Sequence, residues 1–481
     1  MTHKNHQSAS FFGRTNEIKL LTEAFSTTKG SLVACYGRRR IGKSALLLHA
    51  YAAERTYYLD GLEGVTAHQQ RKHLLSQIQK QFSITESEMP HAKSDWEEIF
   101  SFLALTIKRL SSGRTVLILD EFQWIASLRS EVVSIFKSVW DSELSKIPNL
   151  VVVLCGSISS FMVKKVLRSK ALYGRVQVEL NLAPLQIDEI SQFYRGALLE
   201  HFVLDVAMAV GGVPAYLDLF DPQKSFLQNI SQLAFSPTGF LYTDYNRIFI
   251  SHFGKAKRYE QIVRALIDKP LSIPELTKKF SIKSGGTLQS QIEDLVLAGF
   301  IEEILPFRAH AERSKEKRYR ILDEYLHFYL TIIEPRKRSI INGTIESVVP
   351  QPLLAQWQGF AFERFCRRHQ RKIAHALGFS GVSYISGSWI TRGDSKSRSG
   401  AQVDLLFKRA DAVLTVCEIK FCPLSSPTKL ISEMQLKKSA LQLHYPHFAI
   451  QTVLIVTKRF QPPETVQRVV DRVIVIEDLF L

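Results

Sequence analysis

The chain has 481 residues, 45% hydrophobic and 22% charged, which is long enough for several folded domains and excludes wholesale disorder. Its net charge of +16 is uneven: residues 1–250 carry 27 basic against 23 acidic side chains, 251–350 carry 17 against 13, and 351–481 carry 18 against 10. Half of the excess lies in the last segment, which points to a polyanionic partner, nucleic acid, with DNA favoured over RNA. The five cysteines, Cys35, Cys155, Cys366, Cys417 and Cys422, form no C-x-x-C pair and read as small buried residues of a reducing compartment. The first residues hold no apolar signal core, and no run of about 18 uncharged apolar residues occurs, so we expect a cytoplasmic protein without a membrane segment.

Residues 31–52, SLVACYGRRRIGKSALLLHAYA, read as a buried strand, a tight loop and a helix rich in Ala and Leu. The loop matches G-x-x-x-x-G-K-[ST], with Gly37, Arg38, Arg39, Arg40, Ile41, Gly42, Lys43 and Ser44. Backbone N–H groups of such a loop close around the phosphates of a nucleotide at a positive helix N-terminus. Lys43 then pairs with the β- and γ-phosphates and Ser44 offers a hydroxyl to magnesium, so ATP and Mg²⁺ are the expected cofactors.

Magnesium needs a carboxylate opposite the loop, and TVLILDEFQWI supplies one. Thr115 to Leu119 read as a buried strand with Asp120 and Glu121 at its C-terminal end, where open α/β sheets bind ligands. Asp120 would hold magnesium, directly or through water, and Glu121 would act as general base on the attacking water. The bland alternative is a surface carboxylate pair that ends a strand.

A third buried strand, in NLVVVLCGSISSFM, ends in small polar residues, which puts Ser157 or Ser159 within reach of the γ-phosphate or the water. Further on, Arg175 stands in a Gly-Arg turn before another strand. It is a candidate finger for a neighbouring subunit's nucleotide, or the partner of a surface ion pair.

FFGRTNEIKLL, GRRRIGKS, LILDEFQWI, CGSISSFM, LYGR and GGVPAYL, in that order, resemble the archaeal and bacterial P-loop ATPases allied to the AAA and STAND superfamilies. The resemblance implies a RecA-like parallel sheet with an inserted strand beside the phosphate-loop strand, a helical lid, and nucleotide-dependent switching, often with self-association. It also implies that Gly13 and Arg14 lead into an adenine pocket, that Ser157 is a sensor, and that Gly212 and Pro214 form the G-x-P motif of the lid.

From 257 to 304 the apolar residues Ile262, Leu266, Ile273, Leu276 and Phe280 fit a helix, a turn and a second helix. Leu288, Ile292, Leu295 and Leu297 pattern a third. Residues 300–305 and 317–322 read as paired strands, and the set resembles a winged helix. Lys278, Lys279, Lys283 and the cations from Arg313 to Arg320 stand near its expected DNA-facing elements, diluted by Glu293, Asp294, Glu302 and Glu303.

Residues 331–350 read as a linker, and a basic α/β domain with a small mixed sheet follows. Asp404 and Glu418 fall on adjacent predicted strands, and period two puts Lys420 on the face of Glu418. Asp404 and Glu418 could hold one magnesium ion near Lys420, with Glu363 of the preceding helix as a further ligand and Gln435 of the later helix as a companion. The order Glu363, Asp404, Glu418-x-Lys420 resembles the restriction-endonuclease-like PD-(D/E)XK nuclease fold, without the proline that often precedes its aspartate. The alternative is an ordinary strand-end carboxylate with an exposed E-x-K pair.

These readings predict an α/β protein in four parts: a P-loop ATPase core (1–185), a helical lid (186–250), a winged helix (251–335) and a nuclease-like domain (350–481). The expected function is ATP binding and hydrolysis that controls a nuclease-like domain acting on nucleic acid. Two alternatives stand beside it. One is a STAND-like switch whose C-terminal domain only binds a partner, including an unidentified protein; the other is a DNA-binding regulator working through the winged helix.

Overall fold

A computed structural model describes residues 11–480, except 92–93, 111–112, 128, 170–171, 195–199, 254–255, 283–285, 305–306, 308–316, 343–350, 392–399 and 422–425. Lys283, Arg313 and Cys422 lie outside the described residues. The chain divides into two units, one of residues 1–184, 213–215 and 293–299, the other of 185–212, 216–292 and 300–481.

The first unit is built on five parallel strands: β1 (Ser31–Tyr36), β2 (Arg55–Asp60), β3 (Thr115–Asp120), β4 (Leu150–Gly156) and β5 (Val176–Asn181), in spatial order β2-β3-β4-β1-β5. Every residue of β1, β3 and β4 is buried, as near-continuous apolar runs require of central parallel strands. β2 and β5, at the edges, keep partly exposed residues. β4 lies between the phosphate-loop strand and β3, the inserted strand that the resemblance implied. Helix Trp96–Leu110 buries Trp96, Ile99, Phe100, Leu103 and Ile107, a three-and-four spacing that presents one apolar stripe to the core.

In the second unit, helices Ala256–Ala265 and Ile273–Lys279 are followed by Gly286–Leu297, whose last residues group with the first unit. Strands β6 (Leu271–Ser272), β7 (Ile301–Ile304) and β8 (Arg318–Ile321) form an antiparallel sheet in the order β6-β8-β7. The two strands expected here are present, and β6 adds a third. The expected linker is corrected in part. Residues 329–341 are helical, with Ile332, Ile333 and Ile340 buried, because their apolar side chains have a core to enter.

The C-terminal part runs helix Gln351–Arg368, helix Gln370–Ala376, β9 (Tyr384–Thr391), β10 (Ala401–Arg409), β11 (Val413–Lys420), helix Pro427–His444, β12 (Ala449–Val456) and β13 (Arg472–Val475). The mixed sheet has the order β13-β12-β11-β10-β9, antiparallel from β9 to β11 and parallel from β11 to β13. Helix Pro427–His444 opens with a Ser426 cap and Pro427, and it buries Leu430, Met434, Lys437 and Leu441 along one face. A lysine in that stripe must find an acid, which decides the chemistry beneath it. Among the described residues, no helix is long and apolar enough to cross a membrane.

Candidate functional site

The loop from Gly37 to Gly42 leaves β1 and enters helix Lys43–Ala50. Gly42 caps that helix at φ 90°, a left-handed conformation that strains any residue with a Cβ. Lys43 is 6% exposed and donates to the carbonyls of Gly37 at 2.9 Å and Arg38 at 3.1 Å, so its ammonium closes the loop from inside. Arg14 ties this loop to the segment after β5. It is buried and donates to the carbonyls of Ala183 at 2.7 Å and Ile41 at 3.5 Å, while pairing with Glu17. Arg39 pairs with Glu63 at 2.5 Å. A Cβ built on Gly42 would lie 3.7 Å from Cγ of Pro214, which places Pro214 beside the phosphate loop. Gly212 accepts a backbone hydrogen bond from Leu185 at 2.7 Å.

Asp120, at the end of β3, accepts from the Ser44 hydroxyl at 2.7 Å and, through the same oxygen, from the Tyr58 hydroxyl of β2. Its other oxygen accepts from the Glu121 amide at 2.8 Å. Burial works to raise the Asp120 pKa, but hydrogen bonds from Cys155, Tyr58, Ser44 and the Glu121 amide outweigh it and hold the carboxyl below its usual range. Burial and the Asp120 charge push the Tyr58 phenol well up, so it stays a donor. The residues fit magnesium. Ser44 gives its proton to Asp120 and keeps its lone pairs for a metal, and the Asp120 carboxylate stands beside that hydroxyl.

Glu121 has φ 48°, an uncommon value for a residue with a side chain and a form of strain that clusters at functional sites. The turn that holds it needs Gly61, where a Cβ would stand 2.7 Å from both the Glu121 carbonyl oxygen and the Ile125 nitrogen. The Glu121 carboxylate accepts from Ser157 Oγ at 2.7 Å and from Gln123 Nε2, which also donates to Ser157 Oγ at 3.1 Å. Of the two serine candidates, Ser157 is the one bound to Glu121.

Arg175 stands apart. It precedes β5 at the end where Val176 pairs with Leu32, whereas the phosphate loop follows Tyr36, which pairs with Asn181. The intervening strand is roughly 17 Å long, so Arg175 does not reach the loop of its own subunit. Its guanidinium binds both oxygens of Asp141 at 2.6 and 2.8 Å, and with Lys137 this holds the Asp141 carboxyl down to about 2 against the opposing effect of burial.

In the C-terminal domain, the register Leu405↔Cys417 brings Asp404 opposite Glu418 one step further along β10 and β11. Asp404 is pushed up to about 6 by burial and by the Glu363 and Glu418 charges. Glu418 is 2% exposed and its oxygens are taken by Lys437 and by Lys420 at 2.8 Å. Lys420 also lies 3.5 Å from Glu433, and Glu363 pairs with Arg367 at 3.4 Å. Among the described residues, no group of three or more His, Cys, Asp or Glu is arranged to hold a metal ion. Glu363, Asp404 and Glu418 therefore sense one another without forming a ready ligand set. Gln435 is exposed, and the expectation that it joins this group is corrected: Lys437, two positions on, is the residue that faces the sheet.

Sequence reasoning missed Tyr58, Gln123 and Lys437. Lys437 alone left a signal, its seven-residue spacing from Leu430 and four-residue spacing to Leu441 on an apolar stripe.

Residues 11–220 match a family described as an ATPase domain predominantly from Archaea. An uncharacterized protein of Methanocaldococcus jannaschii is 27% identical over 359 residues, 74% of this chain and 76% of that one. Among solved structures, a Walker-type ATPase of Pyrococcus abyssi is similar with a TM-score of 0.50 at 21% identity, covering 67% of this chain and 96% of that one. The Aeropyrum pernix ORC2 protein, solved with ADPNP and ADP, gives a TM-score of 0.42 at 12% identity over 71% and 97% of the two chains. Residues 11–220 are thus similar to an archaeal-type ATPase domain, and that match supports ATP binding and hydrolysis.

Proposed function

We propose that ATP hydrolysis at Lys43, Ser44, Asp120 and Glu121 controls a nuclease-like C-terminal domain that acts on nucleic acid. The observation that carries the ATPase half is the hydrogen-bonded chain from Ser44 through Asp120 to the Glu121 backbone, next to Glu121's own clamp by Ser157 and Gln123. Lys43 meets the β- and γ-phosphates and the loop amides bind their oxygens; Ser44 would hold magnesium, with Asp120 joining it directly or through water, and the metal would neutralise phosphate charge. Glu121 takes a proton from the attacking water, with Ser157 and Gln123 fixing which way its carboxylate points. Arg175 serves a neighbouring copy's nucleotide only if Asp141 releases it, so self-association is part of this reading.

For the C-terminal domain, the helix-strand order, the Asp404 and Glu418 pairing and the +8 charge of residues 351–481 support a nuclease-like fold that meets nucleic acid, DNA in preference to RNA. The three strands and three helices before it fit a winged helix. One observation favours the second reading, a domain that binds without cleaving: Lys437 and Lys420 occupy both oxygens of Glu418. Incubation of the full chain with DNA and RNA, with and without ATP and with magnesium or manganese, separates them. Metal-dependent cleavage that is lost in Asp404→Ala and Lys420→Ala supports the nuclease; intact substrate that is nevertheless retained supports the binding module. Nucleic acid that is neither cut nor bound overturns both.

A further inference from the structure

A cavity of about 520 Å³ opens in the second unit between β7 and β8 on one side and β9 with helices Gln351–Arg368 and Gln370–Ala376 on the other. Arg320, Arg367 and Arg371 line it, with Gln370, Ser386 and Tyr384. Its two acids are already matched. Glu302 pairs with Arg320 at 2.5 Å, and Glu303 with Lys317 at 3.0 Å. Arg367 shares Glu363 at 3.4 Å, while Arg371 is exposed and has no ion-pair partner among the described residues.

One turn before Arg367 on helix Gln351–Arg368, Arg364 has Nε and Nη2 buried without a hydrogen-bond partner among the described residues. Burial brings its pKa down to about 10, helped by Arg367 and Arg320 and opposed by Glu324, so it remains a cation at neutral pH. Burial and Arg320 lower Arg367 in the same way. Guanidinium groups crowded at a partly desolvated cavity repel one another, and an anion that enters relieves that repulsion.

We propose that this cavity binds the phosphate and base of an unpaired nucleotide, at an end or a splayed position of a nucleic-acid strand. Guanidinium forks match phosphate oxygens two at a time, with Gln370 and Ser386 as neutral polar partners. The half-buried ring of Tyr384, held edge-on by Phe379 and Phe407, gives a base an apolar surface. A duplex, about 20 Å across, is too wide for such a cavity, whereas one nucleotide fits it. The proposal rests on the reading that the C-terminal part meets nucleic acid, and it does not depend on cleavage.

The test is fluorescence anisotropy of the full chain, saturated with ADP to fill the phosphate loop, against a 5′-phosphorylated oligothymidylate of about eight nucleotides. Arg371→Glu should weaken binding about tenfold or more, as the loss of a charge-assisted phosphate contact requires, with an unchanged ATPase rate. Lys438→Glu, an exposed charge reversal on helix Pro427–His444, controls for net charge and should bind within about twofold of the parent. Competition by thymidine monophosphate as well as by the strand supports the same site with a free nucleotide as its source; competition by the strand alone supports the strand. Equal loss in Arg371→Glu and Lys438→Glu, no loss in Arg371→Glu, or tighter binding of a phosphopeptide would overturn the assignment.

Discussion

Ser157 Oγ donates to Glu121 Oε2 at 2.7 Å, across from β4 to the turn after β3. The contact joins the end of one strand to the end of its neighbour, so the register of β3 and β4 sets where the carboxylate points. Gln123 closes the same triangle.

Removing the base and removing the clamp should therefore differ. Glu121→Gln is expected to bind ATP normally and lose turnover by about 10²–10⁴-fold, the usual worth of general base catalysis. Ser157→Ala keeps the base but frees its orientation, so kcat should fall by about tenfold with KM little changed. Lys43→Ala should lose nucleotide binding. Steady-state ATPase kinetics with a nucleotide-binding assay check all three, and full activity in Glu121→Gln and Lys43→Ala would refute the site.

Tyr58→Phe deletes one of the donors that keep Asp120 ionised. We expect little change in fold and a kcat reduced about three- to tenfold at low magnesium, recovering in part as magnesium is raised. A magnesium titration of the ATPase rate reads this out, and an unchanged titration would remove Tyr58 from the site.

Asp205, accepting from Gln358 at 2.9 Å, is pushed up by burial to about 6. Its folded pKa exceeds the ordinary 3.8, so its contribution to stability is complete below about 4 and is lost as the pH rises through about 6. Asp205→Asn keeps an acceptor for Gln358 and removes the buried charge. It should be more stable than the parent by about 2–3 kcal/mol at pH 7.5 and equal to it near pH 4, measured by urea unfolding at both pH values.

Glu324 is buried and bound through both oxygens by Arg368; burial raises its pKa, and Arg368 opposes that effect. Arg368→Met would strand the carboxylate and should cost about 3–5 kcal/mol. Adding Glu324→Gln to that variant should recover most of the loss. Thermal and urea unfolding distinguish this from a simple packing defect, in which the second substitution would bring no recovery.

The phosphate loop, the Asp120-Glu121 pair and the strands that carry them were legible in sequence because each is a local pattern: an apolar run, a glycine-spaced loop, carboxylates at a strand end. The same locality exposed Asp404, Glu418 and Lys420 through period two. Tertiary structure alone decided their partners. Tyr58 meets Asp120 only because β2 pairs with β3 in the register Asp60↔Asp120, and Arg175 turns from nucleotide to Asp141 only because β5 begins at the far end of the sheet. Lys437 rather than Gln435 reaches Glu418 because rotation about the helix axis chooses which face is buried. Residue types and their spacing along the chain determined the chemistry on offer; long-range pairing, which brings together side chains distant in sequence, decided which of those groups are free to react and which are held by another charge.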